Sequence, residues 1–447
     1  MDPVIETISD RLEREVAIHC DKADAQGAAV GIVRDGKLAW SHGYGFKNLN
    51  SEEAPGGDTL FRVASITKTF TGTAIYQLRD RGLLELDDPL ARHIPEFAGA
   101  VPRESAIEEV TLRRMLCHHS GLMSYAPTDG RYWNTYVWPS MAETLEVIPE
   151  IEVSIEPDSA FKYSNLAFGL LGEVVGRVSG LPYEEFVTAE LLEPLGMEST
   201  TFEPEGDLKA RTATGYQGKR YEEFPETTPY PSLSGQVAAG QLYSTVEDLA
   251  LWIVFHLGSA SDDESESSIL STRSRKEMQR PLFMNEDWSA GYGTPWGMHR
   301  EKNEIVRGHG GAIHGFGSEI SFIVTRRLGV IVLLNRMTGA RELSSKIFET
   351  VIGAEEANQV LEPKKKPSQT PPELQEYLGI YHGAFGLTIR VEYREGSLQA
   401  VTLGVPSADP RRQTRTSSGR SPTDCQAAIC RTGRNLTNRS GGSSWPT

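Results

Sequence analysis

The stretch Phe61-Arg-Val-Ala-Ser-Ile-Thr-Lys-Thr-Phe70 sets a serine, Ser65, three positions before a lysine, Lys68. A serine hydroxyl is a weak nucleophile until a base takes its proton, and a desolvated lysine amine with a lowered pKa can be that base. On a helix, positions i and i+3 share a face, so hydroxyl and amine can reach one pocket. That helix is predicted: Phe70, Ala74, Ile75 and Leu78 form an apolar stripe at helical spacing, and Gly82 follows as a C′ residue. A serine at its start lies at the positive end of the helix dipole, which favours a developing oxyanion. The chemistry implied is nucleophilic acyl transfer.

The tetrapeptide alone is weak, because Ser159-Ala-Phe-Lys162 repeats it. The second copy follows Pro157 and has no helical stripe immediately after its serine. What favours the first copy is company. Tyr163-Ser-Asn165 lies 98 positions after Ser65, just before a helical stretch that ends at Gly180. His309-Gly310-Gly311 lies 146 positions after Tyr163, at the end of a predicted strand. Singly, these read as a packed ring with a helix cap and as a turn. Jointly, in this order, they are hard to obtain by chance.

With these three motifs the sequence resembles the serine β-lactamase and penicillin-binding-protein-like superfamily, whose penicillin-recognising members carry Ser-x-x-Lys. The likeness is to its class C-like branch, which also holds family VIII carboxylesterases and D-amino-acid peptidases. Leu116-Cys-His-His-Ser-Gly-Leu122, Ala238-Ala-Gly-Gln-Leu-Tyr-Ser-Thr-Val-Glu-Asp-Leu249, Gly291-Tyr-Gly293 and Gly308-His-Gly-Gly-Ala-Ile-His-Gly-Phe316 support it, over roughly residues 5 to 353. The resemblance implies that Ser65 forms an acyl-enzyme, and that Lys68 takes its proton directly or through Tyr163. Tyr163 would protonate the leaving group. Lys68 and Tyr163 would titrate as a coupled pair, so no single base is assigned. Asn165 would hold Lys68 or a substrate amide. The backbone N–H groups of Ser65 and of Ala312, the residue after His309-Gly310-Gly311, would hold the oxyanion, one such donor being typically worth about 3 kcal/mol of barrier.

One departure bears on substrate. True β-lactamases and cell-wall DD-peptidases of the superfamily usually have lysine where His309 stands. Lysine gives a permanent cation for a substrate carboxylate, whereas histidine is largely neutral near pH 7. The expected substrate is therefore a small ester, or an amide with an uncharged acyl side, and the expected activity is that of a carboxylesterase. A D-stereospecific peptidase or amidase, or a weak β-lactamase, is the alternative. A penicillin-binding-like module without turnover is a second one.

Other hydrolase plans fit less well. An α/β-hydrolase needs Gly-x-Ser-x-Gly, which is missing, and its His-Gly-Gly type loop precedes the nucleophile, whereas here the motif follows Ser65 by 244 positions. Zinc hydrolysis wants a His-x-x-x-His pair, but His118 and His119 are adjacent and are read as structural. No metal or cofactor is expected. Cys20, Cys117, Cys425 and Cys430 are too few and too scattered for a disulfide scaffold. Reduced thiols, together with an N-terminus lacking a basic-then-apolar leader, suggest a cytoplasmic location. A net charge of −16 disfavours nucleic acid or an anionic membrane surface as partner. No run of eighteen apolar residues predicts a membrane span.

The elements that must position these motifs come from both chain ends. Val4, Ile8, Leu12 and Val16 predict one opening helix. Residues 28 to 33 and 37 to 45 flank Arg34-Asp-Gly36 and predict a β-hairpin. A helix-rich middle follows to Leu257, then strands at 296–300, 304–309, 318–325 and 330–335, and a helix at 341–352. The fold class expected is α/β of the α+β type: an antiparallel sheet built from both ends, helices on its faces, and a mostly helical insert. Two aromatic loops interrupt the middle, at 125–138 and 216–230. Tyr125, Trp133 and Trp138 of the first are expected to line an apolar substrate pocket. Residues 259–268 read as a solvated acidic loop.

The domain at 1–360 is expected to end in a proline-rich linker at 361–372. A partial β-barrel-like unit at 373–405, with Tyr377-Leu-Gly-Ile-Tyr381, resembles the small C-terminal barrel of some superfamily members. The tail at 406–447 has seven Arg and no Lys or Glu, and is expected to be disordered. A slipped reading frame would produce such a composition.

Overall fold

The computed structural model describes residues 2–51, 53–103, 105–128, 135–217, 226–227, 232–258, 269–301, 303–361, 372–382, 388–394 and 397–404. The chain divides into two compact units, Met1–Glu355 and Glu356–Thr447. Trp133, the acidic loop, most of the second aromatic loop, residues 362–371 and everything after 404 lie outside the described residues.

In the first unit, β1 (Gly27–Arg34) and β2 (Lys37–Gly45) form the expected hairpin. Its Asp35-Gly36 turn takes φ of 49° and 82°, the left-handed pair that a two-residue hairpin loop requires. The later strands are β3 (Phe283–Met284), β4 (Ala290–Tyr292), β5 (Gly297–Glu301), β6 (Glu304–Ile313), β7 (Phe316–Ile323) and β8 (Leu328–Leu334). They close with the hairpin into one eight-stranded sheet of order β2-β1-β8-β7-β6-β5-β4-β3, every neighbour antiparallel. Strands from the two ends of the unit meet at β1 and β8, where Ala28 faces Leu334 and Arg34 faces Leu328. The short strands β3, at the sheet edge, and β4 beside it were not expected, since two or three residues carry no readable alternation.

Both faces of this sheet are covered, which is why β1 and β8 are buried along almost their whole length. Ala28, Val30, Ile32, Val330 and Val332 pack with Leu12, Val16 and Cys20 of α1 (Ser9–Lys22) and with Leu343, Ile347 and Val351. Ala29, Val33, Ile331 and Leu333 point the other way, into the large core built with the helical insert. Fully burying each such aliphatic side chain is worth about 1.5–3 kcal/mol relative to exposure. The opening helix is split: Pro3–Thr7 precedes α1, and Ile8 between them leaves helical geometry at φ −106°, ψ 7°. Within that first turn Ile5, not Val4, is the buried residue.

Helix α2 (Thr67–Asp80) corrects the expectation of an amphipathic helix. Every residue from Thr67 to Leu78 is buried. The polar ones are tolerated because their hydroxyls bond locally: Thr69 Oγ1 donates to Ile66 O at 2.8 Å and Thr73 Oγ1 to Thr69 O at 2.9 Å. Two more helices of the insert matter for the cleft, α3 (Asn165–Ser179) and α4 (Val246–Leu257). The closing helix α5 begins as expected but runs on, spanning Ala340–Leu361. Among the described residues, no helix is long and apolar enough to cross a membrane.

The second unit contains β9 (Gly379–His382), β10 (Thr388–Arg394) and β11 (Ser397–Gly404) in an antiparallel sheet of that order.

Candidate active site

Ser65 sits in a 3-10 turn, Ala64–Ile66, that leads directly into α2. The two-residue strand Phe61–Arg62 pairs with Tyr243–Ser244 and delivers the chain to this turn. Ala64, just before the serine, is held at φ 45°, a left-handed conformation that costs a non-glycine residue about 1 kcal/mol or more. Strand β6 presses on the same segment. A side chain at Gly311 would put its Cβ 2.2 Å from Val63 O and 2.3 Å from Ser318 Oγ, so only glycine fits there. Ser318 Oγ donates to that Val63 carbonyl at 2.8 Å.

One helical turn after the serine, Lys68 is fully buried. Its Nζ lies 3.1 Å from Ser65 Oγ, 2.7 Å from Asn165 Oδ1 and 2.7 Å from Ala239 O. The rings of Tyr163 and Phe168 lie 4.9 and 5.4 Å from it. None of these partners is a carboxylate, and burial drives the amine well below the ordinary lysine pKa.

Tyr163 and Asn165 are placed by the N-terminus of α3. Ser164 caps that helix by accepting from Ala167 N–H, and its own hydroxyl donates to Met123 O at 2.7 Å. Ser124 Oγ donates to Tyr163 O at 2.8 Å, and Asn165 N–H donates to Ser124 O at 3.0 Å. The Tyr163 hydroxyl is hydrogen-bonded to Ser65, and burial raises its pKa, so it holds its proton. His118 backs this tyrosine, ring centroids 4.2 Å apart, and its Nδ1 accepts from Ser164 N–H at 3.2 Å. Burial and the neighbouring Lys68 hold His118 neutral.

His309 lies inside β6, which runs on to Ile313, so the third motif is within a strand and not at its end. The imidazole is buried, with Nδ1 2.7 Å from Gly310 O and Nε2 3.1 Å from the Tyr292 hydroxyl. Burial first, then Lys68, brings its pKa down to about 3.

These groups open on one cavity of ≈ 1100 Å³, lined by Ser65, Tyr163, Asn165 and residues 309 to 312. Phe161, Phe283, Met284, Tyr125 and Tyr292 form apolar and aromatic walls. Tyr125 is thus on the cleft, whereas Trp138 packs against it at 5.8 Å, in a small cluster with Leu233. Ser159 is exposed at the rim and donates to Glu156 O. Among the described residues no cluster of three or more His, Cys, Asp or Glu is arranged to hold a metal ion. Sequence reasoning missed Ala239 O, His118 and Tyr292 as parts of the site, although each lies in a stretch that carried the family resemblance.

A family model described as Beta-lactamase matches residues 6–351. The human protein described as beta-lactamase-like 1 is 27% identical over 398 residues, which is 85% of this chain and 75% of that protein. Protein flp of Staphylococcus aureus (strain N315) is 26% identical over 329 residues, 73% of this chain, and the match spans 62% of the length of flp. Among solved structures, the octameric penicillin-binding protein homologue from Pyrococcus abyssi superposes with a TM-score of 0.66 at 26% identity, over 90% of this chain and 88% of that one. The class C beta lactamase from Rhodobacter sphaeroides shares the fold, with a TM-score of 0.63 at 20% identity over 77% of this chain and 99% of that one.

Proposed function

The chain belongs to the beta-lactamase family, and from that premise we propose that it is a serine hydrolase acting through an acyl-enzyme on small esters, a carboxylesterase by preference. The observation that carries this reading is Lys68, buried 3.1 Å from Ser65 Oγ with no acidic partner among its hydrogen bonds. An uncharged amine has two hydrogens and one lone pair. Donation to Asn165 Oδ1 and Ala239 O, both at 2.7 Å, directs the lone pair to the Ser65 hydroxyl. Burial lowers the pKa of this lysine and so favours its uncharged, basic form, and Tyr163, hydrogen-bonded to Ser65, shares the proton with it.

In the first half-reaction Ser65 Oγ loses its proton to this pair and attacks the carbonyl carbon. The tetrahedral oxyanion is held by the N–H groups of Ser65 and Ala312. The bond to the leaving alcohol then breaks, and the alcohol departs with a proton from Tyr163. Water gives a proton to the same pair and attacks the acyl carbon; the bond from that carbon to Ser65 Oγ then breaks, Ser65 takes the proton back from the pair, and the acid leaves.

The preference for uncharged acyl groups rests on the neutral His309 and on the walls of Phe161, Phe283, Met284 and Tyr292. Fluorophosphonate labelling followed by peptide mapping tests the nucleophile, with Ser65 the expected site. Paired rates on p-nitrophenyl butyrate and D-alanyl p-nitroanilide test the substrate class. Faster relative turnover of the anilide would move the reading to a D-stereospecific amidase, and a single burst without turnover would move it to a binding module.

A further inference from the structure

We propose that Tyr292 is a positioning residue that makes this cleft select against anionic acyl groups, by committing His309 so that it offers the cleft no N–H. The inference rests on the hydrolase reading above and adds the residue that sets its substrate class.

The geometry fixes where the imidazole protons are. Nδ1 of His309 lies 2.7 Å from Gly310 O. A carbonyl oxygen only accepts, so Nδ1 carries the hydrogen and donates. In the neutral ring Nε2 is then an acceptor, and the group 3.1 Å from it is the Tyr292 hydroxyl, which donates. Both nitrogens are satisfied inside the protein. A substrate carboxylate brought to this place loses its water and gains no donor in return, which is costly for an anion.

The surroundings hold His309 in that state. Lys68 faces it from α2, and His118, itself kept neutral, faces it from the loop after residue 117. Tyr163 acts on Tyr292 in the same cleft, and burial keeps the Tyr292 hydroxyl protonated. Glu319 of β7, which also lines the cavity, lies against Gly308 and Gly310 and accepts from Ser321 Oγ; burial pushes its carboxyl up to about 7, so its charge changes between the two pH values in wild type and variant alike. Tyr292 is clamped in turn: its ring packs 5.3 Å from His118 and 5.2 Å from Phe161. A Cβ at the preceding Gly291 would lie 2.4 Å from Met284 Sδ and 2.5 Å from Phe283 O, so β4 is seated tightly on β3.

Removing the tyrosine hydroxyl releases Nε2 as an unpaired base facing the cleft. The decisive measurement is the ratio of kcat/KM for the p-nitrophenyl monoester of glutarate to that for p-nitrophenyl butyrate, in the full chain, at pH near 5.5 and near 8. Losses common to both esters cancel in this ratio. Wild type is expected to keep it within about threefold across that range, whereas in Tyr292→Phe it rises about tenfold at the acidic end, where the glutarate carboxylate beside the freed Nε2 favours its protonation against the burial and the Lys68 that still act on the ring. A ratio that behaves identically in both proteins overturns the role.

A second readout does not need activity. Nitrogen-15 NMR of histidine-labelled protein, with His309 assigned by comparison with His309→Gln, should show His309 protonated only at Nδ1 in wild type at both pH values. With glutarate added, it should gain a second proton in Tyr292→Phe at the acidic one and not in wild type. Finding Nε2 protonated in wild type overturns the proposal. Fluorophosphonate labelling separates the two levels. Labelled Ser65 with an unmoved ratio sinks the Tyr292 role alone, and an unlabelled wild type sinks the hydrolase reading with it.

Discussion

The chain spells Ser-x-x-Lys twice, and the two copies share more than their letters. Each serine follows a residue forced into left-handed geometry, Ala64 at φ 45° and Asp158 at φ 67°. Beyond that point they diverge. After Ser65 the backbone continues through one turn into α2, so the side chains at 65 and 68 stack on one face and meet at 3.1 Å. After Ser159 no helix forms until Asn165; the hydroxyl turns back to Glu156 O, and the Lys162 backbone N–H is spent on His118 O. Lys68 is fully buried, while Ser159 is exposed and Lys162 half-buried. What distinguishes the two copies is therefore the helix that aligns the first pair and the burial that lowers the pKa of its amine.

The largest expected effect breaks that comparison directly. Ser65→Ala should lower kcat/KM for p-nitrophenyl butyrate by at least about 1,000-fold, because nucleophile and base act as a unit. Ser159→Ala should stay within about twofold, as expected for an exposed side chain with no reactive partner. Equal losses in the two variants would mean that the comparison assigns the wrong serine.

Lys68→Met sharpens the same contrast from the side of the base. Loss of a general base costs about 100- to 10,000-fold in rate, and the wild-type fall in kcat/KM toward acidic pH, as Lys68 takes up a proton, should vanish from what remains. Stability should move in the other direction. The folded pKa of Lys68 is depressed below its unfolded value, so the unfolded chain binds a proton that the native site refuses. Wild-type stability should therefore rise with pH from neutrality toward the unfolded lysine pKa of about 10.4, and fall again as pH drops through that window. The Met variant should lack this slope and be more stable at pH 7 by about 1–3 kcal/mol, the usual trade between a site and its scaffold. Urea titrations at pH 7 and 9.5 measure both effects. A Met variant less stable than wild type at pH 7 would show the amine to be charged and well paired.

Much of this site was legible because its parts are short and local. Three motifs, the Asp35-Gly36 hairpin and the strand-rich chain ends could be read from residue types and spacing, and they give a sheet closed by its two ends. What could not be read was long-range or self-concealing. The carbonyl of Ala239 is a partner of Lys68 across 171 positions, and nothing in an alanine announces it. His118 read as structural and Tyr292 stood only within a stretch that carried the resemblance; the place of Tyr292 beside His309 appears only once β4 is laid beside β6 through β5. Helix α2 read as amphipathic because its threonines count as polar, although their hydroxyls bond back within the helix and let it be buried all round. The strands β3 and β4 are too short to carry a period at all.

The smallest expected effect concerns the kink that the two copies share. Alanine pays the full steric penalty of a left-handed φ, whereas aspartate tolerates that region better. Asp158 is also tied to the guanidinium of Arg114, at 2.6 and 2.8 Å. Glycine should therefore act with opposite sign at the two positions. Ala64→Gly relieves the strain and should stabilise by up to about 1 kcal/mol, less the extra entropy glycine gives the unfolded chain. Asp158→Gly relieves little and removes a half-exposed ion pair, so it should destabilise by about 0.5 kcal/mol. Denaturant midpoints at constant slope resolve the two signs. If Ala64→Gly instead loses stability, the turn before Ser65 is held by contacts that favour the alanine methyl, and its left-handed backbone is not a strain that the fold sustains for the sake of the serine.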